Sequence, residues 1–274
     1  MIVAAALIAV CLTTSPPDIR TFRPSSHGFK FRNAFKGSPL PVSLGAIDDA
    51  IGVPDHYGLC GGMSAAAADF FMAGRSVPAD ADVPGKGTDL YNYIFRRQVD
   101  SLRPGFTQAT VFARWMRLPD DGPDGTRARS WPIIASLKAE IGNGRPVMLG
   151  LVLTSREAKG KLWENHQVMA YSIDEDPAVT PAPAPGHTAA SSRRARWRIL
   201  IYDPNFPGAD DARLEVSLVY EGAVTVPAGL TGPPILLPTV GLSVTRRAAG
   251  RRDTHVRGVF VMPYEASLPS ESLR

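Results

Sequence analysis

The chain has 274 residues, and 44% of them are hydrophobic, an ordinary share that leaves material for a full core in one large domain or in a domain with a small companion. Two cysteines and five scattered histidines lack the close spacing of a zinc-ligand set, so no metal is expected. The formal net charge of +4 is small for this length. Much of the basic excess lies in Arg193-Arg194-Ala195-Arg196, Arg246-Arg247 and Arg251-Arg252, read as solvated loops or hairpin ends, so no nucleic-acid partner is expected.

Met1 to Leu12 is almost continuously apolar and precedes Thr13-Thr14-Ser15-Pro16-Pro17. Residues 1–21 read either as a secretory signal that lacks its positive n-region or as an apolar lead-in to the domain. A signal implies a secreted or envelope protein, and its absence a cytoplasmic one. Cys11 is a poor lipoprotein acceptor, since Val10 stands where a small residue is preferred. No stretch reaches the roughly 20 apolar residues of a membrane span. Phe22 to Gly45, with Phe29, Phe31 and Phe35 among Pro and Gly, reads as an irregular segment packed over the first helix.

Gly58-Leu59-Cys60-Gly61-Gly62-Met63-Ser64 then runs into Ala65-Ala66-Ala67-Ala68-Asp69-Phe70-Phe71. Ala is the strongest helix former, and Met63, Ala67, Phe70 and Phe71 supply a helical stripe. Cys60 therefore falls at the start of a buried helix, where unpaired N–H groups and the macrodipole stabilise a thiolate. Gly61 and Gly62 admit close approach to the backbone. The alternative is that Cys60 is a small buried apolar residue, as most free cysteines are. Gly74 closes this helix.

Thr88 caps a second helix bearing Leu90, Tyr91, Ile94, Phe95, Gln98 and Leu102 on one side, broken by Pro104-Gly105. Phe106 to Leu118 reads as a third helix. A fourth starts at Ser130-Trp131-Pro132, with Ile133, Ile134, Leu137 and Ile141 inward and Pro132 in its first turn.

The pattern then changes to strands. Pro146 to Thr154 is a continuous apolar run, read as a central strand. Asn165-His166-Gln167-Val168-Met169-Ala170-Tyr171 opens another with a His. Glu175 to Ala195, rich in Pro and Ala and holding His187, reads as a flexible excursion. Trp197, Ile199, Ile201 and Asp203 share one face of the next strand. A carboxylate ending an apolar face needs a partner, and a neighbouring His would be one; the alternative is that Asp203-Pro204-Asn205 only begins a turn. Leu214 to Val226, Ile235 to Thr245 and Arg257 to Tyr264 carry further strand signals, and 266–274 is a polar tail. His56, four residues before Cys60, is a rival base, but its loop offers nothing to orient it, so His166 is preferred.

A Cys on a helix, then a His and an Asp on successive strands, is the order of a cysteine-nucleophile triad. Gly58-Leu59-Cys60-Gly61-Gly62-Met63, Asn165-His166-Gln167-Val168 and Tyr202-Asp203-Pro204-Asn205 together resemble the papain-like cysteine peptidase superfamily, nearest its bacteriocin-processing, double-glycine-leader branch. They also resemble an uncharacterised bacterial and fungal group with these motifs. The resemblance implies an α+β fold: one papain-like domain over 22–265, helical over about 46–145 and β over about 146–265. It implies a thiol hydrolase acting on an amide or peptide substrate, with Cys60 as nucleophile, His166 as base and acid, and Asp203, or else Asn205, orienting His166. The oxyanion would rest on the backbone N–H groups of Cys60 and Gly61; the Gln that papain-like enzymes carry ahead of the nucleophile has no counterpart between Ile51 and Leu59, a departure that favours an inactive module. An acyl or amide transferase on the same triad, or an inactive papain-like binding module, is the alternative. No cofactor is implied, and oligomeric state is left open.

Overall fold

The computed structural model describes residues 16–37, 56–102, 107–175, 193–226 and 235–273. The apolar N-terminal run with Cys11, and the Pro/Ala-rich residues with His187, lie outside them. The fold is α+β: five α-helices and a seven-stranded antiparallel sheet among the described residues, with a small two-stranded sheet.

Residues 16–37 carry α1 (Pro24–His27) and β1 (Phe35–Lys36). β1 pairs antiparallel with β2 (His56–Tyr57), which brings this segment beside the approach to Cys60. α2 (Cys60–Met72) follows, buried on all sides from Gly61 to Phe71. Gly74 ends it at φ +65°, with Arg75 N–H donating to the Phe70 carbonyl oxygen at 2.9 Å. The segment ahead of α2 wedges the helix onto the sheet. The ring centroid of Phe22 lies 5.3 Å from Phe71 on α2, and 5.4 Å and 5.8 Å from Tyr171 and Tyr202 on the strands.

α3 (Asp89–Ser101) is capped by Thr88 Oγ1, which accepts from Tyr91 N–H, and packs along α2. Its buried side includes Tyr93 and Arg97, outside the apolar stripe, because both meet the buried carboxylate of Asp69. α4 (Thr107–Trp115) ends three residues before Leu118. α5 (Thr126–Gly142) starts a turn earlier than Ser130, so Pro132 lies inside the helix rather than in its first turn. Ser130 faces inward there, its hydroxyl accepting from Val259 N–H at 2.8 Å and donating to the Thr126 carbonyl oxygen at 2.7 Å.

The sheet contains β3 (Val147–Val152), β4 (His166–Glu175), β5 (Arg193–Tyr202), β6 (Arg213–Val226), β7 (Ile235–Arg247), β8 (Thr254–Val256) and β9 (Gly258–Val261). Its order is β8-β7-β6-β5-β4-β3-β9. β8 and β9 thus lie on opposite edges while Arg257 alone separates them in sequence. Adjacent Cα atoms are only about 3.8 Å apart, so the sheet curls until its edges nearly meet. The single strand expected over Arg257 to Tyr264 is two short ones. Arg257 fixes the crossing: its N–H donates to the Val152 carbonyl oxygen, and its guanidinium reaches Asp120 and the Thr154 and Leu118 carbonyl oxygens.

Two basic stretches differ from their reading as solvated loops or hairpin ends: Arg193–Arg196 pairs with β6 as part of β5, and Arg246, near the end of β7, turns its guanidinium to Asp203. The terminal residues are fastened rather than free: Arg75 donates to the carbonyl oxygens of Pro269, Ser270 and Leu273, and Leu273 is buried. No helix among the described residues is long and apolar enough to cross a membrane.

Candidate active site

The N-terminus of β4, the C-terminus of β5 and the first turn of α2 meet at one end of the curled sheet. β4 pairs Met169 with Tyr202, so Asp203, the first residue after β5, lies next to the start of β4. The His166 Nε2–H donates to Asp203 Oδ1 at 2.7 Å, and both side chains are buried. The His166 ring also lies close enough to the Cys60 thiol for the two to interact. With Nε2 turned to Asp203, Nδ1 is the nitrogen left for Cys60. Cys60 is a free cysteine, half-buried.

The charges of the pair follow from these contacts. Burial pulls the His166 imidazole down, but the Asp203 carboxylate and then Cys60 outweigh it, and the pKa is pushed up to about 9. Burial pushes the Asp203 carboxyl up. His166, Arg246 and the Asn205 N–H outweigh that, leaving it below its ordinary value. At neutral pH the pair is therefore imidazolium and carboxylate.

The first turn of α2 carries a defined pattern of occupied and open donors. Leu59 N–H goes to Asn33 Oδ1 at 2.6 Å and Gly62 N–H to Gln98 Oε1 at 2.9 Å. The N–H groups of Cys60 and Gly61 have no hydrogen-bond partner among the described residues. The two glycines are required by packing. A Cβ on Gly61 would fall 2.2 Å from Gln167 Oε1, and one on Gly62 would fall 2.2 Å from the Ile94 carbonyl oxygen. Gln167 Oε1 is itself buried without a hydrogen-bond partner among the described residues.

Of the residues singled out in the sequence, Cys60, His166 and Asp203 come together. Asn205 does not orient His166. Its backbone N–H donates to Asp203 Oδ1 at 2.9 Å, and its side-chain oxygen accepts from Asn33 Nδ2 at 3.1 Å. His56 is exposed on β2, in register with Lys36. Sequence reasoning missed Asn33, Gln98 and Arg246. The Arg246 guanidinium lies 3.3 Å from Asp203 Oδ2, and its side chain is only 11% exposed. Local sequence gives no signal for any of the three, since each acts through a partner far along the chain. No cluster of three or more His, Cys, Asp or Glu side chains able to hold a metal ion occurs among the described residues.

Comparison with known proteins adds no assignment: the chain matches no protein-family model, no curated protein and no solved structure.

Proposed function

We propose that the protein is a thiol hydrolase of papain-like type that cleaves amide or peptide bonds through Cys60, His166 and Asp203. The observation that carries this reading is the line of groups from Asp203 through His166 to Cys60, at a helix start whose Cys60 and Gly61 N–H groups have no partner among the described residues. A core cysteine has no need of a buried imidazole that is itself held by a carboxylate.

The chemistry follows from the contacts. With His166 already imidazolium, Cys60 reacts as the thiolate paired with it, and the sulfur attacks the substrate carbonyl carbon. The carbonyl oxygen becomes an oxyanion, stabilised by the open N–H groups and the helix dipole. The C–N bond breaks as imidazolium gives its proton to the leaving nitrogen, leaving an acyl-thioester on Cys60. His166 then takes a proton from water. The resulting hydroxide attacks the thioester, releasing a carboxylic acid and the thiol. Asp203 holds the ring and balances its charge throughout.

The test combines labelling with turnover. Cys60 should alkylate with iodoacetamide in neutral buffer at least about tenfold faster in wild type than in His166→Ala. Peptidyl aminomethylcoumarins should be cleaved by wild type and not by Cys60→Ala. Added hydroxylamine should trap the acyl group as a hydroxamate. Alkylation at the rate of an ordinary thiol, unchanged by His166→Ala, would overturn the reading.

A further inference from the structure

We infer that Arg246 is a positioning residue of this site: its guanidinium locks the Asp203 carboxylate against His166 and sets the pH range in which the Cys60–His166 pair works. The inference rests on the thiol-hydrolase reading of the site and adds a fourth residue to it.

The geometry is specific. Asp203 is almost fully buried and has two oxygens to satisfy. Oδ1 accepts from His166 Nε2 and from Asn205 N–H. Oδ2 has no hydrogen-bond partner among the described residues, and Arg246 Nη1 stands 3.3 Å from it. The contact is an ion pair without hydrogen-bond alignment, since Nη1 and Nε of Arg246 have no hydrogen-bond partner among the described residues either. β7 lies two strands from β5, roughly 10 Å across the sheet, so the side chain must reach past β6. The long arm and forked end of arginine suit that span better than lysine does.

The arm is held on its way. The Arg246 guanidinium carbon lies 5.1 Å from the Phe206 ring centroid, and that of Arg251 lies 5.5 Å from the same ring. Phe206 belongs to the turn that follows Asp203, its N–H donating to the Asp203 carbonyl oxygen at 2.9 Å. Arg246 thus grips the turn through Phe206 and the carboxylate through its charge. Its neighbour Arg247 faces other partners, Glu215 and Asp253, and is half-exposed.

The charges around the pair define its response to pH. Asp203 faces His166 from β4 and Arg246 from β7, with the Asn205 N–H from its own turn. His166 faces Cys60 from α2. Arg251 shares the Phe206 ring with Arg246. A cation beside a carboxylate keeps it ionised, and it also weakens that carboxylate's hold on a proton at His166. Removing the cation raises every proton affinity in its neighbourhood. The activity profile then moves as a whole to higher pH. The carboxylate, freed on one side, also loses its fixed orientation toward the ring.

The experiment measures Cys60 alkylation rate against pH for wild type, His166→Ala, Arg246→Met and Arg246→Lys, with thermal melting as a folding control. Arg246→Met should shift both limbs of the profile upward by roughly one pH unit and lower its plateau several-fold. Arg246→Lys keeps the charge and should leave the limbs in place, while its plateau falls. A purely structural arginine would lower the melting temperature and leave the limbs unmoved, and unmoved limbs in Arg246→Met overturn the inference. Should Arg246→Met fail to fold, Arg246→Lys decides: a plateau equal to wild type overturns it. Wild-type labelling that ignores His166→Ala is a different failure, since it removes the thiol-hydrolase reading underneath.

Discussion

Asn33 Nδ2 donates to Asn205 Oδ1 at 3.1 Å, across 172 positions of sequence, and the other end of the Asn33 amide accepts the Leu59 N–H at 2.6 Å. The Asn33 N–H also donates to the Pro204 carbonyl oxygen at 3.1 Å. One side chain and its own backbone therefore tie the start of the nucleophile helix to the turn that presents Asp203. Asn33→Ala should leave the Leu59 N–H without its acceptor in a nearly dry setting, costing about 1–3 kcal/mol. Asn33→Asp keeps the acceptor and loses the donor to Asn205. It should recover most of the stability while Cys60 alkylation stays below wild type. Thermal melts and alkylation rates of both variants check this, and equal alkylation in Asn33→Asp and wild type would separate the bridge from the site.

The two glycines after Cys60 should not tolerate Ala equally. At Gly62 the new Cβ would meet the Ile94 carbonyl oxygen at 2.2 Å, and backbone on a packed neighbouring helix cannot step aside. At Gly61 the nearest atoms are Gln167 Oε1 at 2.2 Å and Ser101 Oγ at 2.6 Å, both on side chains. Gly62→Ala should cost about 3 kcal/mol or more, and Gly61→Ala about 1–2 kcal/mol because Gln167 can swing away. Urea titrations of the two variants rank them. The reverse order would mean that α2 and α3 are less rigidly packed than their interface implies.

How much of this was legible beforehand depends on how far each residue's partner lies along the chain. The helix at Cys60 could be read because its Ala run and flanking glycines are local signals. Asp203 stood out as a carboxylate closing an apolar strand face, although the residues alone left it open between partner and turn. Arg246 was misread as solvated, because a basic pair at a strand end looks the same whether it meets water or a carboxylate two strands away. Asn33 in an irregular segment looks like any turn residue. The split of β8 from β9 depends on sheet curvature, which no local pattern carries, and Pro132 reads as a helix start even where the helix has already run for a turn.

The His166–Asp203 pair should make stability depend on pH in a defined direction. Folding raises the His166 pKa from an ordinary 6.5 to about 9, so the folded state holds that proton more tightly than the unfolded chain. The contribution is fully present below about pH 6.5 and is lost as pH rises through about 9. On the acid side Asp203 behaves oppositely. Its lowered pKa contributes above the ordinary carboxyl value and is lost as pH falls through the folded value. Between pH 6.5 and 9.5 the wild type should lose up to about 3 kcal/mol relative to His166→Asn, read from urea unfolding at each pH. Parallel curves for the two proteins would show that the pair carries no such charge.

Away from the site, Asp69 on α2 is a buried carboxylate with a full set of partners. Arg97 Nε lies 2.7 Å from Oδ2, and Tyr93 OH donates to the same oxygen at 2.8 Å. Tyr264 OH and Ser267 N–H donate to Oδ1 at 3.0 Å and 2.9 Å. The cluster joins α2, α3 and the terminal residues, and Arg97 also donates to the Glu265 carbonyl oxygen at 2.7 Å. Burial pushes the Asp69 carboxyl up despite Arg97, so the ionised form depends on that cation. Arg97→Met should therefore cost about 3–5 kcal/mol, the usual penalty for stranding one half of a buried pair. Asp69→Asn with Arg97→Met should cost less than Arg97→Met alone, because the stranded charge is gone. Cys60 alkylation in the folded fraction should match wild type in both variants, because Asp69 lies more than two helical turns from Cys60 along α2. Equal stability of the single and double variants would show that the charge, as opposed to the packing of the arginine, contributes nothing there.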